Sequence, residues 1–436
     1  FGRKVTFLTG LAGFAGVSAI GGASVNFTML VTARACQGAF AALLVPSALS
    51  LLTTTFTGPK DRGKAFAVYG AIAGAGGAVG LLLGGALTEY LSWRWCLYVN
   101  LIFAAVAFAG GALLLQRQPS PGRPRLDIPG VLLVSSALFC LVYGFSNAAA
   151  HSWHAPSTWG FLAVGVALGA GFAVWQGRAA HPLLPPRVVL DRNRGGAYAS
   201  MLIASAGLFG IFLFLTYYLQ QTLGYSPLVT GVAFLPLSAG LILAANLSTT
   251  VLMPRFGPRP LVASGMLAAA GAMVWLAQLG SHTAYAAGVL GPTILGGVGV
   301  GMVIAPVINT GTFGVAPQDA GVASATVTVG QQLGASVGTS LLNTIFASAV
   351  ASYLAAHLAA ARLLGSPAPT RLTLTGLALA HGYDTAFWWT AGIFAAGAVT
   401  AGALLRPGPL RPASTPPPAH AEVTTAQAKA DPALPG

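Results

Sequence analysis

The feature that most constrains this chain is a series of apolar runs, each about 20 residues long, almost free of charge. "VTFLTGLAGFAGVSAIGGASV" and "LIASAGLFGIFLFLTYYLQQ" are two of them. Runs of that length cross the hydrocarbon core of a bilayer as helices, and they lack the two-residue alternation of barrel strands. Inside lipid every backbone N–H and C=O needs a partner within the protein, and a helix supplies one locally. Composition agrees. Apolar residues make up 55% of the chain and charged residues 7%, where a soluble domain carries about 25% charged residues. Mean hydropathy is +0.75. The fold class is therefore an all-α polytopic membrane protein.

Twelve spans are expected, at roughly 5–25, 29–53, 65–87, 95–116, 128–147, 159–177, 197–219, 229–252, 260–279, 284–306, 321–350 and 386–405. Residues 351–385 read as a loop between the last two. The 407–436 tail is rich in Pro, Ala, Ser and Thr, with no apolar period, and is expected to be disordered and solvated.

The net charge of +13 is a topology signal rather than a nucleic-acid footprint. Of the 21 basic residues, seventeen fall in one set of alternate loops and the tail, from Arg3 and Lys4 to Lys429. Arg94, Arg362 and Arg371 fall in the other set, and Arg34 lies within a span. The basic set is expected in the cytoplasm, with both ends of the chain, and the protein in the inner (plasma) membrane of a bacterium. Cys36, Cys96 and Cys140 lie far apart with no paired spacing, and "HSWH" (His151, His154) sits in a loop. Neither a disulfide frame nor a metal site is indicated. No hydrolase, metalloprotease or nucleotide-binding motif is present, so an enzyme is not expected and no cofactor is implied.

Residues 1–16 and 256–271 resemble each other. Phe1, Gly2, Gly10, Ala15 and Gly16 match Phe256, Gly257, Gly265, Ala270 and Gly271, and Lys4 faces Arg259. The two copies open the first and ninth spans, eight helices apart. Internal repeats of this kind build many transporters. Two six-helix halves joined directly would place the copies six apart, so two further helices are expected between the halves.

Gly2, Arg3 and Lys4 resemble the end of the loop signature between the second and third helices of the major facilitator superfamily. "RACQGAFAALLVPSALSLL" resembles that family's Arg-x-x-Gln-Gly signature, here Arg34, Gln37 and Gly38. "GAGGAVGLLLGGAL" resembles its antiporter signature through Gly76, Gly80, Gly84 and Gly85, with Leu81 where the family usually has proline. "SWRWCLYVN", "YLQQTLGYSPLVTGVAFLP" and "GVASATVTVGQQLGASVG" also have the look of its fourteen-helix drug:proton antiporter branch. The resemblance implies a two-bundle fold with twelve helices present of fourteen, Phe1 being a truncation point. The parts implied are a first-bundle remnant (1–117), two linker helices with a cytoplasmic loop (118–195) and a six-helix second bundle (196–406). It also implies proton-coupled efflux of hydrophobic or amphipathic small molecules, such as drugs or antibiotics, by alternating access. The partners would be the substrate, protons and the bilayer, and the protein a monomer.

Physical chemistry bears on those residues separately. A charge well inside a helix costs about 2.5–3.5 kcal/mol on insertion scales, so Arg34 should face a cavity or a partner. Gln37 and Gly38 follow at three and four residues, on the same face. Snorkelling to the near interface is the alternative for Arg34. Gly76, Gly80, Gly84 and Gly85 are spaced for close helix approach, and static packing alone would also explain them. Phe214, Tyr217 and Tyr218 fall on one face, with Gln220 and Asn246 as isolated polar groups. Such a face suits flat, greasy or cationic ligands, and lipid contact suits it equally. None of the eight acids falls at mid-span. Glu89, at the end of the third span, is placed to pair with Arg94 or to sit as an interfacial carboxylate. The proton-carrying acid is therefore expected in a helix preceding Phe1. Other readings fit the composition. One is a facilitator or exporter of a polar metabolite, sugar or siderophore, and another a membrane scaffold or receptor that transports nothing.

Overall fold

The protein is described by a computed structural model covering residues 3–55, 76, 77, 79–115, 127–151, 153–180, 182–280, 283–315, 319–364 and 371–410. The described residues are helical throughout, with no strand among them. Eleven helices are long and apolar enough to cross a membrane. Most of the remaining expected span, 65–87, lies outside the described residues, but its second part is helical from Val79 to Tyr90. The expected tail disorder and Gly2 also fall outside the described residues.

Helices α1 (Arg3–Gly22), α2 (Phe27–Thr55), α3 (Val79–Tyr90) and α4 (Trp95–Leu114) come first. Helix α1 packs between α2 and α4. Helices α1 and α4 also hold each other's ends. Lys4, in the first turn of α1, donates to the carbonyls of Ala112 (2.7 Å) and Leu115 (2.6 Å) at the end of α4. Arg94, just before α4, donates to the carbonyl of Gly22 (3.0 Å) at the end of α1. Each cation meets the negative end of a helix dipole and satisfies carbonyls that have no partner within their own helix.

Helices α5 (Ile128–Ala150) and α6 (Pro156–Arg178) form a hairpin. At its tip Asn147 donates to Ser157 (2.9 Å) and Thr158 (3.1 Å). At its base Asp127 caps α5 through the Gly130 N–H (2.9 Å). The same carboxylate accepts from the Trp175 ring nitrogen (2.8 Å) and from Gln176 (2.7 Å) on α6. These bonds hold the Asp127 carboxyl below its usual range, with the Trp175 bond the largest cause. A carboxyl pKa lowered by folding contributes stability at neutral pH that is lost as pH falls through the carboxylate range, near 4 and below. Asp127→Ala is expected to lower the melting temperature of the purified protein at pH 7 and to flatten its decline below pH 5. Superimposable melting curves for the two proteins at every pH would count against this role.

A short helix α7 (Pro186–Val189) leads into α8 (Arg192–Tyr217), which is followed by α9 (Pro227–Ala233), α10 (Leu235–Leu247), α11 (Met253–Phe256) and α12 (Pro258–Leu276). The chain ends in α13 (Leu290–Thr312), α14 (Ala320–Leu364) and α15 (Arg371–Leu404). Helices α8, α10, α12, α13, α14 and α15 pack around one apolar core that includes Met201, Ile211, Phe214, Met266, Phe387 and Phe394. Glycines allow the backbones to approach: a Cβ on Gly334 of α14 would collide with the carbonyl of Leu202 on α8, and one on Gly297 with that of Leu237. Small residues at helix crossings serve the same purpose in other membrane bundles.

One end of the structure gathers basic residues. Arg187 makes a two-point ion pair with Asp319, just before α14 (2.9 and 3.0 Å). Arg192 donates to the carbonyls of Ala403 (2.7 Å) and Leu404 (3.1 Å), and Asn193 accepts from the Arg406 N–H (2.7 Å). Between Arg255 and Arg259, Gly257 takes φ +77° and lies against the Gly408 carbonyl, so a side chain is excluded there by both conformation and space.

The expected loop at 351–385 is corrected by the structure. Helix α14 is 45 residues long and α15 is 34, so helix occupies 351–364 and 371–385. At about 1.5 Å per residue α14 reaches about 65 Å, twice the hydrocarbon thickness. The segment "ASYLAAHLAAARLL" is made largely of strong helix formers, which continue a helix whether or not lipid surrounds it. Asp384 accordingly lies within α15 and not in a loop. Arg3 and Lys4 likewise belong to the first turn of α1 rather than to a turn before it.

Candidate functional site

Helix α2 carries its one internal charge at the head of a short hydrogen-bonded relay. Arg34 donates from its guanidinium to Oε1 of Gln37, 2.7 Å away and three residues on. Gln37 is 5% exposed, and its amide nitrogen donates to Ser18 Oγ on α1 at 2.5 Å. Arg34 itself is exposed. The two ion pairs among the described residues, Arg187–Asp319 and Arg194–Asp191, do not involve it. Arg34 and Gln37, read as sharing a face of the helix, are joined by this bond. Gly38 touches nothing at the position of a missing side chain. Ser18 is the member that the signature did not include. A serine in an Ala/Gly-rich helix gives no periodic signal, and only the crossing of α1 over α2 reveals it.

A second feature joins the early helices to the late ones. A Cβ on Gly85 of α3 would lie 2.6 Å from the carbonyl oxygen of Pro227, and one on Gly231 of α9 would lie 2.8 Å from that of Leu81. Glu89 Oε2 accepts from the Leu228 N–H (2.9 Å) in the first turn of α9. This carboxylate therefore caps α9 and does not pair with Arg94, which is committed to Gly22. A negative group at a helix N-terminus meets unpaired N–H groups and the positive end of the dipole. Among the described residues Gly76, Gly80 and Gly84 meet nothing at the Cβ position, and Gly85 is the signature glycine that makes a close contact. Among the described residues α1, α2 and α4 make no extended contact with α8–α15. The two groups meet where α3 reaches α9.

The aromatic face expected on the seventh span is divided by the structure. Phe214 is fully buried and Tyr218 is 2% exposed, both within the core of the second bundle, while Tyr217 is half-buried. Tyr218 donates to the Gly280 carbonyl (2.9 Å). Gln220 is exposed, on a π-helical turn (Tyr218–Thr222). Its neighbour Gln221 accepts from the Tyr383 hydroxyl (3.2 Å). Phe346 of α14 stacks on Tyr383 (5.2 Å between centroids) and packs against Phe214 and Tyr217. Phe346 and Tyr383 were not singled out in the sequence, because the pairing of α14 with α8 and α15 is a tertiary matter. Asn246 is exposed and donates to the Ile242 carbonyl (2.9 Å) of its own helix, away from this cluster.

The family model described as the Major Facilitator Superfamily matches residues 1–339. The chain belongs to the Major Facilitator Superfamily. Membership makes it a multi-pass membrane transporter and not an enzyme. Relatives of the superfamily include a puromycin resistance protein of Streptomyces alboniger, 47% identical over 338 residues, which are 77% of this chain and 67% of that protein. A cephamycin export protein of Amycolatopsis lactamdurans is 38% identical over 77% of this chain and 70% of its own length. A tetracenomycin C resistance and export protein of Streptomyces glaucescens is 36% identical over 77% and 62%. The chain thus spans about two thirds of the length of these relatives. Among solved structures, a bacterial homologue of the human lysosomal transporter Spinster, inward-facing and unoccupied, has TM-score 0.57 at 16% identity, over 92% of this chain and 82% of its own. An auto-inhibited POT-family peptide transporter has TM-score 0.58 at 16% identity, over 95% and 85%. At that identity the two structures support the fold and nothing finer.

Proposed function

We propose that this transporter exports hydrophobic or amphipathic small molecules, of the drug or antibiotic kind, in exchange for inward-moving protons. The observation that carries the direction and the substrate class is the 47% identity to a puromycin resistance protein, alongside export proteins for two other antibiotics. The proton part rests on Arg34. A guanidinium keeps its charge at working pH, so it can hold a carboxylate ionised when the two are close and release it when they part. The α3–α9 contact is the closed side of a cleft that opens and closes between residues 1–117 and 196–406, with the 118–195 pair between them. The basic end faces the cytoplasm, and with it both ends of the chain. A proton moving down about 100 mV supplies about 2.3 kcal/mol, and each pH unit adds about 1.4. One proton per cycle can then sustain roughly a hundredfold substrate gradient.

In everted vesicles carrying the full-length protein, an imposed acid-inside gradient is expected to drive accumulation of a lipophilic dye. Collapsing the gradient with a protonophore should stop it. Accumulation that continues unchanged would rule out proton coupling, and absence of any dye movement would rule out the substrate class.

A further inference from the structure

We propose that Ser18 is a positioning residue for proton coupling, acting on Arg34 through Gln37. The inference rests on the proton-exchange reading of Arg34. An amide side chain has a donor end and an acceptor end, and either can face a neighbour until a hydrogen bond chooses. Arg34 is donor-only, so the relay works in one orientation, with the Gln37 carbonyl oxygen towards the guanidinium. The Ser18 hydroxyl accepts from the Gln37 amide nitrogen and fixes the side chain in place, while the donor-only guanidinium sets which end of the amide faces it. Gln37 is 5% exposed and Ser18 is 1% exposed, so water does not supply a substitute partner. Without the hydroxyl the buried amide nitrogen loses its partner, and the Gln37 side chain is free to leave the conformation that meets the guanidinium.

The consequence concerns where the charge sits. Arg34 is exposed on α2, and a long side chain of this kind drifts towards the nearest water unless it is held. The bond to Gln37 holds it at one level of the helix, and Ser18 makes that bond the favoured one. The hydroxyl comes from α1, so the level of the charge is tied to the packing of α1 against α2, which is dense there: Gly21 lies against Ala33. A shift of α1 relative to α2 would release the arginine. Ser18 touches neither a proton carrier nor a substrate in this scheme.

The test uses the full-length protein in everted vesicles, with membrane protein quantified for each variant. Ser18→Ala is expected to lower proton-driven dye transport about fivefold to tenfold, the size of one lost hydrogen bond. It should shift the pH profile of transport, and leave the apparent KM for the dye unchanged. Ser18→Thr keeps the hydroxyl and should restore both rate and profile. In a Gln37→Glu background the carboxylate is held by its own ion pair with Arg34 and has no N–H to leave unpaired, so adding Ser18→Ala should have no further effect. That double variant also answers the case in which Ser18→Ala alone inserts poorly. Wild-type rate and pH profile in Ser18→Ala, beside loss of transport in Arg34→Ala, would overturn the role of Ser18 and leave proton coupling standing. Unchanged transport in both variants would overturn the coupling reading, and this proposal with it. A raised dye KM with an unmoved pH profile would place Ser18 in plain packing and also overturn the proposal.

Discussion

Arg34→Ala is expected to reduce proton-driven export by at least tenfold in everted vesicles, with the protein still present in the membrane at normal levels. The reasoning starts from cost. A cation within a membrane helix is unfavourable by about 2.5–3.5 kcal/mol on insertion scales, so removing it should make α2 easier to insert. A role in stability alone therefore predicts unchanged or improved abundance. A buried glutamine accepts from the guanidinium at 2.7 Å. A hydrogen bond to a charged group contributes about 1.5–3 kcal/mol, which spans roughly tenfold to a hundredfold in a coupled rate. Arg34→Lys keeps the charge but loses the planar fork, and it is expected to fall between Arg34→Ala and the wild type. Facilitated efflux down a dye gradient, with no pH gradient imposed, should survive in Arg34→Ala better than uphill transport. If uphill transport were as fast in Arg34→Ala as in the wild type, the arginine would have no part in coupling.

Gly85→Val should weaken the α3–α9 closure without unfolding the second bundle. A Cβ at position 85 would stand 2.6 Å from the Pro227 carbonyl oxygen and 3.0 Å from Leu228 Cα, and both are backbone atoms that cannot rotate away. Forcing extra methyl groups into a packed contact costs about 1–3 kcal/mol. At an interface that must open in every cycle, the helices relieve that cost by separating. The population of the open form should rise about fivefold to a hundredfold. Separation would also pull the Leu228 N–H from Glu89, 2.9 Å away, and leave Ser226 as the cap of α9. A cysteine placed at Leu81 should then label faster with a membrane-impermeant reagent applied from the side at which α3 meets α9. Gly76→Val has open space at its Cβ position and serves as the control, with labelling expected at the wild-type rate. Equal labelling of all three proteins would show that the α3–α9 crossing is not a gate.

Several features were legible in the sequence because they are local. Membrane-spanning length and charge exclusion are properties of one helix at a time, and eleven long apolar helices bear out that reading. The Arg34–Gln37 bond is an i, i+3 contact, which helix geometry dictates without any neighbour. Two expectations misjudged an environment. The loop at 351–385 assumed that helix ends where apolarity thins, whereas alanine and leucine propagate a helix in water as well. The aromatic face of α8 was read as turned to a ligand or to lipid. Phe346 and Tyr383 instead close over it, leaving Tyr217 half-buried and Phe214 and Tyr218 in the core.

By itself, then, the amino-acid order determined the class of protein, the number of long apolar helices to within one, and the family, through residues a few positions apart on single helices. The tertiary structure decided which backbone the closely packed glycines cushion, that Glu89 meets the first turn of α9 rather than Arg94, and that Ser18 accepts from Gln37. The division has a physical cause. Transfer free energy and helix periodicity are summed along one segment, so they can be read from it. A helix crossing is chosen by the shapes of two surfaces distant in sequence, and an Ala/Gly-rich chain offers many small-residue stripes of nearly equal merit.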